Sequence, residues 1–295
     1  MTQIIQCIPN FSEGRNPGVI RSLVTAAQSV PGVILADYSS DASHNRTVIT
    51  LLGGPEGIKT AVLALAKCAR NQINMNLHQG EHPRIGAVDV IPFVPIKGIT
   101  MEECVNLSKE VGKEISSELQ IPVYLYEESA ADTSRRNLAD VRRGQYEGLA
   151  KKMAQWPPDY GNIPHPTAGA VAVGARRPLI AFNVNLSTSD ISIAKKIAKK
   201  VRESSGGLKY CKAIGIMLKE KNSAQVSMNL THYETTSIYT AVELIKSEAA
   251  KHGVAIVDTE LIGIAPAKAL LDCAIQYLQL KDFDYRQVLE NHIGG

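Results

Sequence analysis

The chain has 295 residues, 44% of them hydrophobic, which is enough for a sizeable core and for two domains or subdomains. Its 32 lysines and arginines nearly balance 29 aspartates and glutamates, a formal net charge of +3, so it carries no electrostatic footprint for nucleic acid or a membrane surface. The N-terminus shows no basic region followed by an apolar run, and Cys7, Cys68, Cys104, Cys211 and Cys273 fall mostly in apolar segments without a C-x-x-C pair. Both features point to a cytoplasmic protein with free thiols rather than a secreted or membrane-spanning one.

Gln3 to Ile8 reads as a strand ending at Pro9-Asn10. Val19, Leu23, Val24, Ala27 and Val30 recur at helical spacing, and Pro31-Gly32 breaks that helix. Val33 to Asp37 reads as a second strand, Tyr38 to Asn45 as a polar connection, and Thr47 to Leu52 as a third strand. Ile58, Val62, Leu65 and Ala69 form one face of a helix over 56–74. A polar loop then leads into the apolar strand Ala87 to Phe93. A helix from Thr100 to Leu119 opens with the capping box Thr100-Met101-Glu102-Glu103, and a strand follows at Pro122 to Tyr126.

From Arg135 to Tyr160 the chain is polar, and a proline-punctuated connection joins it to a loop over 161–169. Beyond it, strands are expected at Leu179 to Asn185, Lys212 to Leu218, Ala224 to Leu230 and Val254 to Leu261. Helices are expected after Ser187-Thr188-Ser189-Asp190, over 236–251, and from Pro266 to Leu280. Both halves thus follow the order β-α-β-β-α-β. The expected class is α+β: two ferredoxin-like βαββαβ subdomains, residues 1–178 and 179–295, with a ligand cleft between them.

Chemistry concentrates in His78-Gln79-Gly80-Glu81-His82-Pro83-Arg84 and the strand after it. His78-x-x-Glu81-His82 matches an H-x-x-E-H zinc pattern, which needs a helix to put both histidines on one face. Gly80 weakens a helix there and Pro83 disfavours one at His82, so no metal is expected. The other reading is acid–base catalysis. A histidine pinned by Pro83 ahead of a buried strand can take and return a proton near neutral pH. Asp89, Asp41 or Glu81 could fix its tautomer.

Several stretches carry a family likeness: Cys7-Ile8-Pro9-Asn10-Phe11-Ser12-Glu13-Gly14-Arg15, Asn45-Arg46-Thr47, Gly80 through Val90, Pro122-Val123-Tyr124-Leu125-Tyr126, Gly144-Gln145-Tyr146-Glu147-Gly148-Leu149, and Ala181-Phe182-Asn183-Val184-Asn185-Leu186. Together they resemble the glutamate formimidoyltransferases (formiminotransferases), from the N-terminus to about Leu271. The resemblance implies transfer of a formimidoyl group from N-formimino-L-glutamate to N5 of tetrahydrofolate, a co-substrate, with His82 as the catalytic residue. It implies a folate contact at Gly161, Asn162, Ile163, Pro164, His165, Pro166, Thr167, Ala168 and Gly169, where Gly169 is expected to let a ring approach the backbone.

Arg46 and Arg84, and with them Arg176, are candidates for the substrates' carboxylates. Asn10 is a candidate polar contact, and Asp37 and Asp41 are candidates to orient His82. A homodimer is expected. The chain stops near the end of the transferase unit, so a cyclodeaminase, where one is needed, is expected on a separate protein. Two other readings remain open: formyl transfer between 5-formyltetrahydrofolate and glutamate, and a folate-binding protein without turnover.

Overall fold

The computed structural model describes residues 3–218 and 221–292. Its contacts fall into two units, one ending at Arg177 and the other beginning at Pro178. Both are mixed α+β, each with its own sheet and core. No helix among the described residues is long and apolar enough to cross a membrane.

In the first unit β1 (Ile4–Cys7) breaks at Ile8-Pro9 and resumes as β2 (Asn10–Phe11). Proline has no N–H for a ladder, and the Asn10 side chain donates to the Ile8 carbonyl at 2.9 Å across the break. Helix α1 (Pro17–Gln28) starts where the Asn16 side chain accepts from the amides of Gly18 and Val19, with Pro17 in the first turn. Strands β3 (Ile34–Asp41) and β4 (Arg46–Gly53) form a hairpin, and α2 (Pro55–Gln72) buries Ile58, Val62, Leu65 and Ala69. After β5 (Val88–Lys97), helix α3 (Met101–Leu119) opens with the capping box that the sequence suggests. The Glu103 amide donates to Thr100 Oγ1 at 3.1 Å, and the Thr100 amide to the Glu103 carboxylate at 2.7 Å. The unit closes with β6 (Val123–Leu125), the short helices α4 (Leu138–Val141) and α5 (Leu149–Gln155), and β7 (Val171–Ala175).

The sheet runs β3, β4, then β1 with β2, then β5, β7 and β6. Strands β5, β7 and β6 are mutually parallel, while the other pairs are antiparallel. Side chains alternate between two cores. Val123, Val171 and Val173 point to the core shared with α1, α2 and α3, whereas Tyr124, Ala172 and Val90 point to a second core closed by Val141 of α4 and by Leu149 and Met153 of α5.

Three details depart from the sequence reading. Strand β3 continues to Asp41 through residues that composition assigns to a loop. As an edge strand it pairs only with β4, and its polar Ser39 and Ser40 face solvent. Strand β7 was not expected. It is buried on both faces between two parallel neighbours, so its sequence Val171-Ala172-Val173-Gly174-Ala175 shows no alternation. The polar stretch after Arg135 contains α4 and α5.

The second unit holds β8 (Ile180–Leu186), α6 (Ile191–Val201), β9 (Cys211–Leu218), β10 (Ser223–Leu230), α7 (Ile238–Ala250), β11 (Ile256–Ile262) and α8 (Ala267–Leu278). Its sheet order is β11, β8, β10, β9, all antiparallel. In both units the fourth strand of the β-α-β-β-α-β order lies beside the first, the first beside the third, and the third beside the second.

Candidate active site

Residues 77–87 form an irregular loop that enters β5, with no helix around His78 and His82. Distant segments hold it still. Asn45, buried and left-handed at φ 49°, donates from its side chain to the Gln79 carbonyl at 2.9 Å and accepts from the Gly14 amide at 2.8 Å. Gly80 lies against the preceding turn so closely that a Cβ there would sit 2.3 Å from the His44 carbonyl oxygen. The Ser12 hydroxyl donates to the Gly86 carbonyl at 2.7 Å, and its amide to Ala87 at 2.9 Å. Asp89, 2% exposed, accepts from the Ile85 amide at 2.9 Å and tightens the turn into β5. Motifs separated along the chain therefore close into one assembly around His82.

Arg84 is the buried pillar of this loop. Its guanidinium grips the Glu147 carboxylate with two N–H groups at 2.6 and 2.8 Å, and reaches Gln145 at 3.0 Å. Its Nε donates to His78 Nδ1 at 3.1 Å. That bond fixes the tautomer of His78, whose Nε2 then donates to the Asn45 carbonyl at 3.0 Å. Burial, with Arg84 beside it, pulls the His78 pKa below its ordinary value. His78 and Arg84 are thus committed within the protein.

His82 is half-buried and has no hydrogen-bond partner among the described residues. The charges that act on it most strongly are cationic: Arg46, Arg142, His44 and Arg84. Burial first, and then these charges, push its pKa down to about 2, so the imidazole is neutral and weakly basic. Arg46, at the start of β4, has no hydrogen-bond partner for its guanidinium among the described residues. Burial and Arg142 lower its pKa, and Asp89 and Asp41 partly offset them. Arg142, just after α4, is bonded to Asp89, and its Nε is buried without a partner.

Other residues singled out in the sequence lie elsewhere or are occupied. Asp41 accepts from the His44 amide at 2.8 Å and pairs with the His44 ring at 2.9 Å, not with His82. The Asp37 side chain makes no hydrogen bond among the described residues, and Asn10 bridges the strand break. No described carboxylate touches His82, so the orienting role expected of Asp37 or Asp41 is not seen. Arg176 follows β7 and donates its amide to Phe93, at the far end of the parallel pair from the His82 loop.

The stretch 161–169 divides in two. Gly161, Asn162 and Ile163 are exposed, whereas Ala168 and Gly169 are buried. His165 and Gly169 exchange backbone hydrogen bonds of 3.0 Å, and the amides of Ala87 and Ala170 donate to Ala168 and Ile85 at 2.9 and 3.0 Å. The far end of this loop is therefore stitched to the residues just after His82. Gly169, at φ 69°, would place a Cβ 2.3 Å from the Ile85 oxygen and 2.9 Å from the Tyr146 ring. The glycine lets protein backbone and the Tyr146 ring approach closely at this point.

Sequence reasoning missed Arg142, His44 and Glu147 as parts of this assembly. Glu147 lay inside a quoted motif, and Arg142 two residues before it, but nothing local signals what either side chain reaches. No cluster of three or more His, Cys, Asp or Glu side chains among the described residues could hold a metal ion.

Comparison with known proteins defines the class. The formiminotransferase domain, N-terminal subdomain, matches residues 4–176, and the formiminotransferase domain matches residues 181–292. The chain belongs to the formiminotransferase family. A glutamate formimidoyltransferase of Streptococcus pyogenes serotype M1 is 57% identical over 299 residues and covers all of both chains. One from Thermoplasma acidophilum is 46% identical over 97% of this chain and 96% of its own. The formimidoyltransferase-cyclodeaminase of Mus musculus is 44% identical over 94% of this chain but only 53% of its own length, so this chain spans about half of that relative.

Proposed function

We propose that this chain is a glutamate formimidoyltransferase that moves the formimidoyl group of N-formimino-L-glutamate to N5 of tetrahydrofolate, with His82 as the proton carrier. The supporting observation is the convergence of the motif segments 10–15, 45–47, 80–90 and 144–149 on one loop that presents His82.

N5 of the folate attacks the amidine carbon and forms a new C–N bond, and His82 takes the N5 proton. The bond from that carbon to the glutamate nitrogen then breaks, and His82 returns the proton to the leaving nitrogen. Protons and electron pairs balance without a metal or a covalent enzyme intermediate. The fixed loop supplies orientation, which accounts for much of the acceleration in a two-substrate transfer.

Exposed Gly161, Asn162, Ile163 and Pro166 are open to meet the folate, and Arg46, whose guanidinium has no hydrogen-bond partner among the described residues, is the cation for a substrate carboxylate. The five cysteines are free thiols, in keeping with a cytoplasmic enzyme. The test is a transfer assay on one preparation with two donors, N-formimino-L-glutamate with tetrahydrofolate and 5-formyltetrahydrofolate with glutamate. Turnover of the first supports the reading. Turnover of the second alone, or tight folate binding without turnover, overturns it.

A further inference from the structure

The His82 site holds more positive charge than the protein pairs internally. Arg84 is engaged by Glu147, Gln145 and His78, and the ring of His44 by Asp41. Two cations remain. Arg46 has no hydrogen-bond partner for its guanidinium among the described residues, and Arg142 gives Asp89 one N–H while its buried Nε has no partner. Asp89, bonded to Arg142 and acting electrostatically on Arg46, already engages its other oxygen with the Ile85 amide. Two guanidinium forks thus share one built-in anion, and such forks match a second carboxylate in geometry and charge.

We propose that Arg46 and Arg142 form a seat for a carboxylate of the glutamyl substrate, and that this carboxylate, once seated, is what enables His82 to act as a base. The identity of the substrate rests on the formimidoyltransferase reading, whereas the seat rests on the cation cluster itself.

The charges acting most strongly on His82 come from four places: Arg46 from β4, His44 from the turn before it, Arg84 from the same loop, and Arg142 from the segment after α4. All four disfavour an imidazolium. The two carboxylates nearby, Asp41 and Asp89, act on Arg46 and are bonded to His44 and to Arg142 and Ile85. Burial and these cations hold His82 near a pKa of 2, too weakly basic to accept a proton from a folate nitrogen at neutral pH. A carboxylate lying across Arg46 and Arg142 offsets the charge that opposes protonation. Donor binding and activation of the base are then one event, and a folate bound alone meets an inert histidine.

The test is titration of ring-15N-labelled histidines by NMR in the full chain, with the His82 signal assigned from its loss in His82→Gln. Glutarate serves as a dicarboxylate probe without a transferable group, and glutaramide as its uncharged counterpart. Alone or with glutaramide, His82 stays neutral to the lowest pH at which the protein remains folded. With glutarate its midpoint rises into the pH range in which the protein is folded, the direction expected for an opposite charge placed within a few ångströms.

In Arg46→Gln, glutarate binds roughly tenfold more weakly, as for loss of a charge-assisted pair, and the rise in midpoint disappears. Arg142→Lys keeps a cation for Asp89 but loses the fork, and provides a second folded variant with the same expected direction. A His82 midpoint unchanged by glutarate, or glutarate that does not bind, overturns the proposal. The readout involves no turnover. Formimidoyl transfer by a protein whose His82 ignores glutarate removes only this proposal, and a responsive His82 in a protein without transfer removes only the functional reading.

Discussion

Asp89 is joined to Arg142 across 53 positions of sequence, and through that bond a strand buried in the sheet fixes one of the cations that act on His82. Asp89→Asn removes the charge that Arg142 answers while leaving a side chain of the same size. Breaking a buried pair from one side costs roughly 3–5 kcal/mol. Urea unfolding should show a loss of that order, and glutarate affinity should fall with it. Full stability and full glutarate affinity in the Asp89→Asn variant would make the pair incidental.

Arg84→Lys separates two roles for that residue. A lysine keeps the charge but cannot grip Glu147 with a fork while reaching His78 and Gln145. The expected result is destabilisation of roughly 1–3 kcal/mol, from hydrogen bonds to a charged group, together with a fall in kcat as the His82 loop loosens. If Arg84 instead bound substrate, KM for the donor would rise while the melting temperature stayed unchanged.

Gly169→Val tests the packing role of Gly169 in the loop at 161–169. The substitution demands a left-handed valine whose Cβ overlaps the Ile85 carbonyl and the Tyr146 ring. Left-handed geometry alone costs a non-glycine residue roughly 1–3 kcal/mol, and the overlap adds to it. The melting temperature should therefore fall sharply. A fully stable variant with weakened folate binding would restore the ligand-facing role that the sequence suggests.

The pH dependence of stability carries a signature of His82. Its pKa in the folded protein lies near 2, below the value of about 6.5 expected when unfolded. Between these values the unfolded chain binds a proton that the folded chain does not. Stability therefore has its full value above that upper pH and falls as pH drops through the window, with a limiting slope of about 1.4 kcal/mol per pH unit. His82→Gln should lose this component, so its stability should decline less between neutral and mildly acidic pH. Equal declines in both proteins would show that His82 is not held neutral by its surroundings.

The backbone order was readable where pattern and local chemistry agree. The periodic face of α2 and the Thr100–Glu103 capping box both form as their residues predict. The buried strand β7 left no alternation to read, because both its faces are covered. The position of His82 in a non-helical loop was legible from Gly80 and Pro83, since both act locally. Its partners were not. Arg142, His44 and Glu147 meet the loop only through tertiary contacts, and no local rule says that Arg84 is bonded to Glu147 while the Arg46 guanidinium has no hydrogen-bond partner among the described residues. The sequence reading also placed the imidazole near its ordinary pKa, because desolvation and neighbouring charge exist only in the fold.

The most direct measurement is single-turnover formimidoyl transfer from N-formimino-L-glutamate to tetrahydrofolate across the pH range, for the native protein and His82→Gln. The native protein should show a low-pH limb, as protonation removes the base in the donor complex. In the variant the rate should fall by roughly 10²–10⁴, the usual contribution of a positioned acid–base group, and that limb should vanish. The donor amidine is itself cationic near neutrality and does not generate it. A variant that keeps the same limb at reduced height, or that transfers at the native rate, would contradict the assignment of proton transfer to His82.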